Sequence, residues 1–363
     1  MMRRLLLAGI ALASMWPACI DAQEAASGFE VHTTISAAGF ASNELTQDPR
    51  NGAPTAAGYR AVVYPVWKLD DHWTISAALQ SYSRPYFYET FSTAGYGIKD
   101  NVLQANLSYA NISGKGSVLL RAGVLSPAFG SFLLHYDDAD NPLTDMPLEY
   151  GYYYKLVSTL GVAAVQVDAT RGKWDGRAQL SNSSPSNPRS VFAHDQYANW
   201  TAGGGYTIRQ GLRVGVSAYR GPYLSRDYAF FYPGEAPPAT LNARAAGVDV
   251  QWARGHWNIA GEWQTFVMPY KAIPTFRSQA GYAEAKRVLS PRWYVAARGG
   301  YTHASFGGNV QGLETAVGFR PNRLQILKVG YQLQREAYTT KSYDNSLTFQ
   351  FVTSLHLFSL TRK

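Results

Sequence analysis

The 363-residue chain has one cysteine, no long apolar run and little charge. The cysteine, Cys19, lies near the N-terminus, so disulfides and thiolate metal sites are excluded from the rest of the chain. No later segment approaches ~18 consecutive apolar residues, which argues against a transmembrane helix. Charged residues make up 16% of the chain, against about a quarter in typical soluble domains. The net charge is +8, but the basic residues are scattered singly, so no nucleic-acid partner is expected.

The N-terminal segment is predicted to be a signal peptide covering residues 1–22. Arg3 and Arg4 supply a basic start, an apolar stretch follows, and Ile20-Asp21-Ala22 is a plausible cleavage site. About eleven apolar residues are too few to span a bilayer as an anchor. The mature chain, residues 23–363, is therefore expected to be exported.

Apolar and polar residues alternate with period two in most of the mature chain, which is typical of strands. In "RWYVAARGGYTH", Trp293 and Val295 share one face while Tyr294 and Arg298 share the other. In "NVLQANLSYAN", the same pattern assigns Leu103, Ala105, Leu107 and Tyr109 to one face. The sequence predicts about sixteen such strands, an even number within the range of bacterial outer-membrane barrels.

Short and long connections alternate strictly between these strands. The short ones are "LDDH" (69–72), "SGKG" (113–116), "RGKWDG" (171–176), "RQG" (209–211), "RGH" (254–256), "SPR" (290–292) and "RPNR" (320–323). This pattern predicts an all-β fold, a transmembrane antiparallel barrel in the outer membrane with short periplasmic turns and long extracellular loops. A soluble β-sandwich or propeller, the alternative, does not predict such regular alternation.

Aromatic residues make up 14% of the chain and gather at the predicted strand ends. Six tryptophans lie at or beside short turns: Trp67, Trp73, Trp174, Trp252, Trp257 and Trp293. Tyrosines gather at the opposite ends: Tyr82, Tyr86, Tyr88, Tyr219, Tyr223, Tyr270, Tyr301 and Tyr338. Two aromatic girdles at the two membrane–water interfaces would explain both sets.

The third long loop, about residues 129–157, is the longest and holds five acids. They are Asp137, Asp138, Asp140, Asp145 and Glu149. With the strand count and loop order, this loop resembles that of the sixteen-stranded porins of Gram-negative outer membranes, and "SPAFGSF" is similar to the family's Pro-x-Phe-Gly loop signature. The resemblance implies that the loop folds into the lumen, narrows the pore and turns its acids toward basic wall residues. It also implies a possible homotrimer. The chain departs from the family in that "SLTRK" follows Phe358 at the C-terminus. A solvated external loop in contact with Ca²⁺ or lipopolysaccharide is the alternative.

The alternation also predicts which charged residues face the water-filled lumen. A charge on the lipid face costs roughly 2–4 kcal/mol at the bilayer midplane, so charges within the strands should point inward. The predicted pore-lining and constriction residues are Arg60, Arg121, Arg177, Arg298, Lys328, Asp249, Glu262 and Glu284. Arg121 is the strongest single candidate for the constriction, and Arg298 and Glu284 are expected to form a cross-strand pair.

No motif for catalysis, a cofactor or a metal is found. The seven histidines are dispersed, and the sequence has no His-Glu-x-x-His, Gly-x-Ser-x-Gly or phosphate-binding loop. The sequence therefore predicts a non-enzymatic, passive, water-filled channel for small hydrophilic solutes or ions, in contact with outer-membrane lipid and lipopolysaccharide. Two alternatives stay open: a non-conducting barrel acting as a receptor or structural protein, and a barrel-embedded lipid hydrolase using a pair such as His303 and Ser305.

Overall fold

The computed structural model describes most of the chain after the N-terminal segment. The described residues are 27–43, 45, 53–84, 86–87, 97–150, 157–188, 197–224, 234, 236–305, 308–336 and 343–361. The predicted signal peptide lies outside this set. No helix in these ranges is long and apolar enough to cross a membrane.

Sixteen antiparallel strands form one closed barrel, in which each strand pairs with its sequence neighbours and β1 pairs with β16. The strands are β1 (Gly28–Ser42), β2 (Thr55–Lys68), β3 (Trp73–Arg84), β4 (Gly97–Ser113), β5 (Gly116–Leu125), β6 (Val162–Arg171), β7 (Trp174–Ser181), β8 (Asn199–Arg209), β9 (Leu212–Pro222), β10 (Asn242–Arg254), β11 (Trp257–Met268), β12 (Phe276–Val288), β13 (Trp293–Ala304), β14 (Gly308–Phe319), β15 (Gln325–Glu336) and β16 (Asp344–Thr361). The predicted fold class is confirmed. Because the sheet closes on itself, it has no edge strand whose backbone groups would be left unpaired in lipid.

The short connections fall where the sequence placed them, all at one end of the barrel. Two of them reverse the chain within two residues, between Arg171 and Trp174 and between Arg254 and Trp257. Each begins with a glycine in the left-handed region, Gly172 at φ 61° and Gly255 at φ 58°. Glycine adopts this conformation without the steric cost that a side chain would add, which allows such a tight hairpin.

Register shifts in three ladders interrupt the alternation that the sequence suggests. In β4, Ala78 pairs with Gln104 but Leu79 pairs with Val102, so Leu103 is an extra residue. Leu103 is buried with the interior cluster, whereas Leu107 is exposed on the outer face. The assignment of Leu103 to the same face as Leu107 is therefore wrong, because the bulge shifts the period by one residue. The other two shifts lie where β1 meets β16 and between β8 and β9, at Thr207 and Arg209.

The outer face of the barrel is apolar, and the tryptophans at the short turns belong to it. Trp67, Trp174 and Trp293 are all about half exposed or more. They alternate with inward-facing neighbours such as Lys68 and Tyr294, and so point away from the lumen. An indole at this level keeps its N–H in water and its ring in hydrocarbon. The predicted tryptophan girdle is present.

The second girdle differs from the prediction, since several of its tyrosines are inside the barrel. Tyr82, Tyr86, Tyr219 and Tyr223 are buried, and all four belong to one interior hydrophobic cluster. Tyr301 does lie on the outer face, stacked on Trp263 at 6.5 Å between ring centroids. Tyr88 and Tyr338 lie outside the described residues. Side chains alternate between the inner and the outer face of the barrel at strand ends as they do at strand centres. A position near a strand end therefore does not by itself assign a tyrosine to the lipid-facing side.

Candidate functional site: the lumen and its third loop

The predicted pore-lining residues all project into the barrel. They lie on eight strands: Arg60 on β2, Arg121 on β5, Arg177 on β7, Asp249 on β10, Glu262 on β11, Glu284 on β12, Arg298 on β13 and Lys328 on β15. Each pairs with another inward-facing group or with the loop that follows β5. We call residues 129–150 of that loop, together with Val157, loop 3; residues 151–156 lie outside the described set.

Loop 3 lies inside the barrel and its contacts extend around much of the wall. It begins close to β7, where the Arg177 guanidinium donates to the Gly130 carbonyl. A short 3-10 helix at Phe132–His135 follows. Further along, Ser36 on β1 donates to the Asp138 carboxylate at 2.6 Å, and Tyr294 on β13 donates to the Pro142 carbonyl at 3.1 Å.

Arg298 connects the wall and the loop through five hydrogen bonds. Its guanidinium donates to Glu284 at 2.8 Å and to Glu314 at 3.1 Å, the acids that face it on the neighbouring strands β12 and β14. The expected Arg298–Glu284 pair is therefore present. The same guanidinium donates to the Asp145 carbonyl at 2.9 Å and to the Asn141 side chain at 3.1 Å. The planar guanidinium has five N–H donors, which suits it to join several acceptors at once.

Lys328 binds the backbone of loop 3. Its ammonium donates to the carbonyls of Asp138, Asn141 and Leu143, at 2.6, 2.7 and 3.1 Å. The lysine is almost completely buried. A compact ammonium with three donors, surrounded by three carbonyl oxygens, holds this turn of the loop against β15.

An ion pair between Arg60 and Asp138 connects loop 3 with β2. Arg60 Nη1 lies 3.0 Å from the Asp138 carboxylate and 3.1 Å from the Tyr136 carbonyl. Burial alone would raise the pKa of Asp138, but the charges of Arg60 and Lys328 outweigh burial and hold that pKa below its ordinary value. This loop carboxylate therefore stays ionised inside the barrel.

Acids of the wall receive backbone N–H groups of the loop. Glu314 accepts from the amides of Thr144 at 2.8 Å and Asp145 at 3.0 Å. Glu262 accepts from the Ser131 amide at 3.1 Å and from the Tyr150 hydroxyl at 2.8 Å. The resemblance implied loop acids facing basic wall residues. Arg60–Asp138 fits that arrangement, but most of these contacts join charged wall side chains to loop backbone groups.

The other loop acids occupy different surroundings. Asp137 accepts a hydrogen bond from the Tyr64 hydroxyl and another from the Ala139 amide, the latter at 2.8 Å. Glu149 is fully buried. Burial, followed by the charge of Asp137, raises the pKa of the Asp140 carboxyl to about 6.

Aromatic packing adds to the polar anchors of loop 3. The Phe129 ring lies 5.2 Å from that of Phe266 on β11, in an edge-to-face arrangement. Phe132 packs 5.1 Å from Tyr150 and 6.3 Å from Tyr282 on β12. Burying such rings is strongly favourable, so the loop is held by an apolar core inside the barrel as well as by charge.

A different environment surrounds the inward charges of β5 to β10. The Arg121 side chain is 21% exposed and pairs with Asp168 at 2.6 Å. Arg213 bridges Asp175 and Asp249, both at 2.6 Å, and is 20% exposed. By contrast, the side chains of Arg60 and Arg298 are 1% and 3% exposed. The inward arginines Arg121 and Arg213 therefore keep more contact with water than Arg60 and Arg298, which contact loop 3.

Sequence reasoning missed three exposed arginines on the outer face near the long-loop end. Arg220 on β9 and Arg244 on β10 are directly opposite each other, and Arg277 lies two strands further along the same row. The rule that charges within strands point inward fails here. The cost of an outward charge falls to about 0–1 kcal/mol near the interface, and these residues lie close to the strand ends.

The structure does not support a hydrolase pair at His303 and Ser305. The His303 ring is hydrogen-bonded to the Asn309 side chain, and the Ser305 hydroxyl accepts the backbone N–H of Arg277 at 3.0 Å. Both hydrogen bonds fix these side chains within the hairpin of β13 and β14 and its neighbour. Neither of these hydrogen bonds joins the Ser305 hydroxyl to the His303 ring.

Comparison with known proteins finds structural relatives only. No protein-family model matches the chain, and no curated protein sequence matches it. The outer-membrane channel DcaP of Acinetobacter baumannii is similar with a TM-score of 0.60 and 10% identity, covering 92% of this chain and 99% of DcaP. OmpF of Salmonella typhi, in complex with daunomycin, gives 0.57 and 10%, covering 90% and 97%. The trimer form of OmpT, an outer-membrane protein of Vibrio cholerae, gives 0.55 and 11%, covering 91% and 100%.

These likenesses concern the fold, since the identities are near one residue in ten. They agree with the closed barrel, its apolar outer face and its ring of tryptophans at the short turns. A surface of this kind is stable only where hydrocarbon surrounds it. The chain is an outer-membrane β-barrel of sixteen strands with the porin-like fold.

Proposed function

We propose that the protein is a passive diffusion channel whose path runs between loop 3 and the wall of β5 to β9. One observation carries the proposal: the inward charges behind loop 3 are buried, whereas Arg121 and Arg213 on the other wall keep about a fifth of their side-chain surface exposed. Polar inward side chains that contact water are the lining that a hydrophilic solute requires.

In this proposal, loop 3 forms one side of the constriction and Arg121 and Arg213 form the other, while Arg177 lies where the loop leaves that wall and binds the Gly130 carbonyl. Arg298, Lys328, Arg60, Glu262 and Glu284 are positioning residues that hold the loop, directly or through each other. Asp249 keeps Arg213 in place through their 2.6 Å ion pair. Because the three arginines lie beside Asp168, Asp175 and Asp249, we expect weak charge selectivity for small hydrophilic solutes and ions. No cofactor is required.

Single-channel conductance in planar bilayers tests this function. We expect discrete conductance steps from the purified mature protein, and larger steps from a variant in which residues 131–150 are replaced by a short Gly/Ser linker. A matched control shortens a loop elsewhere, at residues 269–275 between β11 and β12. A wild-type barrel that conducts no ions, together with a conducting loop variant, would contradict the open-channel proposal.

A wild-type barrel that conducts no ions, next to a loop variant that does, would favour a closed barrel acting as a surface receptor or structural protein. The aromatic packing of loop 3 supports this alternative, because Phe129, Phe132 and Tyr150 fill interior volume that an open pore would leave to water. The conductance measurement separates the two functions directly.

We also propose that phosphate groups of outer-leaflet lipid, such as lipopolysaccharide, bind Arg220, Arg244 and Arg277. Like charges directly opposite on a sheet destabilise it unless an anion lies between them, and Arg220 faces Arg244. Guanidinium groups bind phosphate through paired hydrogen bonds. We expect the double variant R220Q/R244Q to copurify with several-fold less lipopolysaccharide than wild type. The control is Arg254→Gln, an outer-face arginine at the short-turn end, which should leave the amount unchanged; equal loss in both variants would reject the site.

A homotrimer is the assembly that we propose, as in the trimer form of Vibrio cholerae OmpT. Light scattering of the detergent-solubilised protein measures this, after subtraction of the bound detergent. A protein mass about three times that of one mature chain would support a trimer, and a mass of one chain would reject it.

A further inference from the structure

Two histidines and a glutamate from opposite ends of the chain meet inside the barrel near the short-turn end. Glu30 and His32 lie two residues apart on β1, so their side chains project from the same face of the sheet. His356, near the end of β16, is the direct cross-strand partner of His32. The ends of the chain thus supply a group of three side chains that can all bind metal.

The main register of the β1–β16 ladder creates this pairing. His32–His356 continues the same register as the pairs from Thr33–Leu355 to Ser42–Ser346. The register shifts only beyond the two histidines, where Val31 pairs with Phe358 and Leu357 of β16 is the extra residue. Because direct cross-strand partners share a face of the sheet, both imidazoles project from the same face.

The distances within the group approach those of a metal site. His32 Nε2 lies 3.3 Å from Glu30 Oε2, and the two imidazole ring centroids are 4.7 Å apart. One ligand atom from each of the three residues lies within 4.8 Å of the other two. Ligands about 2.0–2.2 Å from a tetrahedral zinc ion are roughly 3.3–3.6 Å apart, so side-chain rotations would complete the geometry.

We propose that Glu30, His32 and His356 bind one divalent transition-metal ion of the Zn²⁺ or Ni²⁺ type. Imidazole is the nitrogen ligand that these ions prefer, and a carboxylate oxygen is an ordinary third ligand for zinc. Water from the lumen would complete the coordination, because Glu30 and His356 are exposed. A hard ion such as Mg²⁺ or Ca²⁺ is disfavoured, since both prefer all-oxygen ligands.

The position of the site gives the ion a structural consequence. β1 and β16 are the first and last strands, and their pairing is the step that closes the barrel. An ion held by His32 and Glu30 on one strand and by His356 on the other would cross-link the closure. Binding to the closed barrel and not to the unfolded chain stabilises the closed form by mass action.

Isothermal titration of the refolded, tag-free protein with ZnCl₂ and NiCl₂ tests the site. We expect one ion per chain, with at least the ~10–100-fold loss of affinity in H32A and in H356A that even outer-shell changes cause at zinc sites. E30Q should weaken binding less, because two imidazoles remain. The matched control is H303A, since His303 is an exposed histidine on the outer face of β13.

A second measurement keeps the test independent of folding defects. Co²⁺ bound through two imidazoles and a carboxylate gives visible absorption bands, which should appear with wild type and H303A and be absent with H356A. Metal should also raise the melting temperature of wild type but not that of H356A. Equal binding by wild type and the H32A/H356A double variant would overturn the proposal, and would show that Glu30 and His32 form only a hydrogen-bonded pair.

Discussion

Arg298 and Arg121 occupy equivalent places on opposite walls of the same barrel, yet they differ in surroundings. Both project inward from mid-strand, and both pair with an acid on an adjacent strand, at 2.8 and 2.6 Å. Arg298 is 3% exposed because loop 3 covers it, whereas Arg121 is 21% exposed. The difference indicates that one type of residue serves two purposes here. Behind the loop, charge fixes a segment in place, and on the other wall charge is available to solutes.

The sharpest test of this comparison removes each arginine in turn. In R298A, Glu284 and Glu314 would lose their common partner inside the barrel. Removing one partner of a buried ion pair costs about 3–5 kcal/mol of stability. We expect a large drop in thermal stability and, because loop 3 loses two of its anchors, a larger and noisier conductance. R121A has the same change in charge, but Arg121 is 21% exposed and leaves one acid without its partner instead of two, so its loss of stability should be the smaller of the two. Similar losses of stability in both variants would remove the distinction between the two walls.

Gly130 offers a second way to displace the loop without changing charge. Its φ of 79° lies in the left-handed region, and a Cβ there would collide with the Tyr150 hydroxyl and the Glu262 carboxylate. We expect G130A to destabilise the protein by about 1–3 kcal/mol through strain and lost hydrogen bonds. Limited proteolysis should then cleave within loop 3 faster than in wild type. Gly172→Ala is the control, since Gly172 has a similar φ but open space around its Cβ position. Equal loop cleavage in the two variants would argue against a specific role of Gly130.

Reversal potentials in a salt gradient address the exposed wall. R121A leaves Asp168 without its 2.6 Å partner, so the path that we propose becomes more negative. We expect the reversal potential to shift toward cation preference by a few millivolts to ~10 mV, as one charge among several allows. K328A, which removes a positive charge behind loop 3, should change selectivity only if the loop moves. An unchanged potential in R121A would reject its assignment to the constriction.

The smallest expected effect concerns pH. Burial raises the pKa of the loop residue Asp140 to about 6, above its ordinary value of 3.8. Between these values the folded protein binds more protons than the unfolded chain, so the free energy of unfolding falls as pH rises through this window. D140N carries no such group. Its melting temperature relative to wild type should therefore be higher at pH 7.5 than at pH 4.5. A constant difference between the two pH values would contradict the raised pKa.

Much of the fold could be predicted from the sequence because the relevant physics is local. Alternation between an apolar outer face and a polar inner face repeats every two residues, and lipid on one side and water on the other enforce it at each position. The short turns can be recognised in the sequence because tight hairpins contain glycines such as Gly172 and Gly255. Those signals gave the strand number, the topology and the outward tryptophans. They failed for Leu103, since a bulge leaves no mark in the composition of a strand.

The candidate site was predictable only in outline. Alternation placed Arg60, Arg298 and Lys328 on the inner face, but it did not identify their partners. Lys328, for example, binds backbone carbonyls of the loop, and every residue has a carbonyl, so the sequence does not mark this contact. The Arg298–Glu284 pair could be foreseen since both residues lie at the same distance from one short turn. Alternation also places Arg213 on the inner face, but not its bridge to two aspartates, because no periodicity identifies which inward charges will meet.

The sequence alone determined that this chain forms a barrel in a membrane, because each side chain of a strand points either to lipid or to water and its polarity has to match. Only the tertiary structure decided which wall loop 3 covers, since a chain of some thirty residues can reach any side of the lumen and the docking depends on contacts between distant strands. It also decided that His32 and His356 become neighbours. Closure of the cylinder pairs the first strand with the last, and the register of that pairing places both imidazoles on the same face.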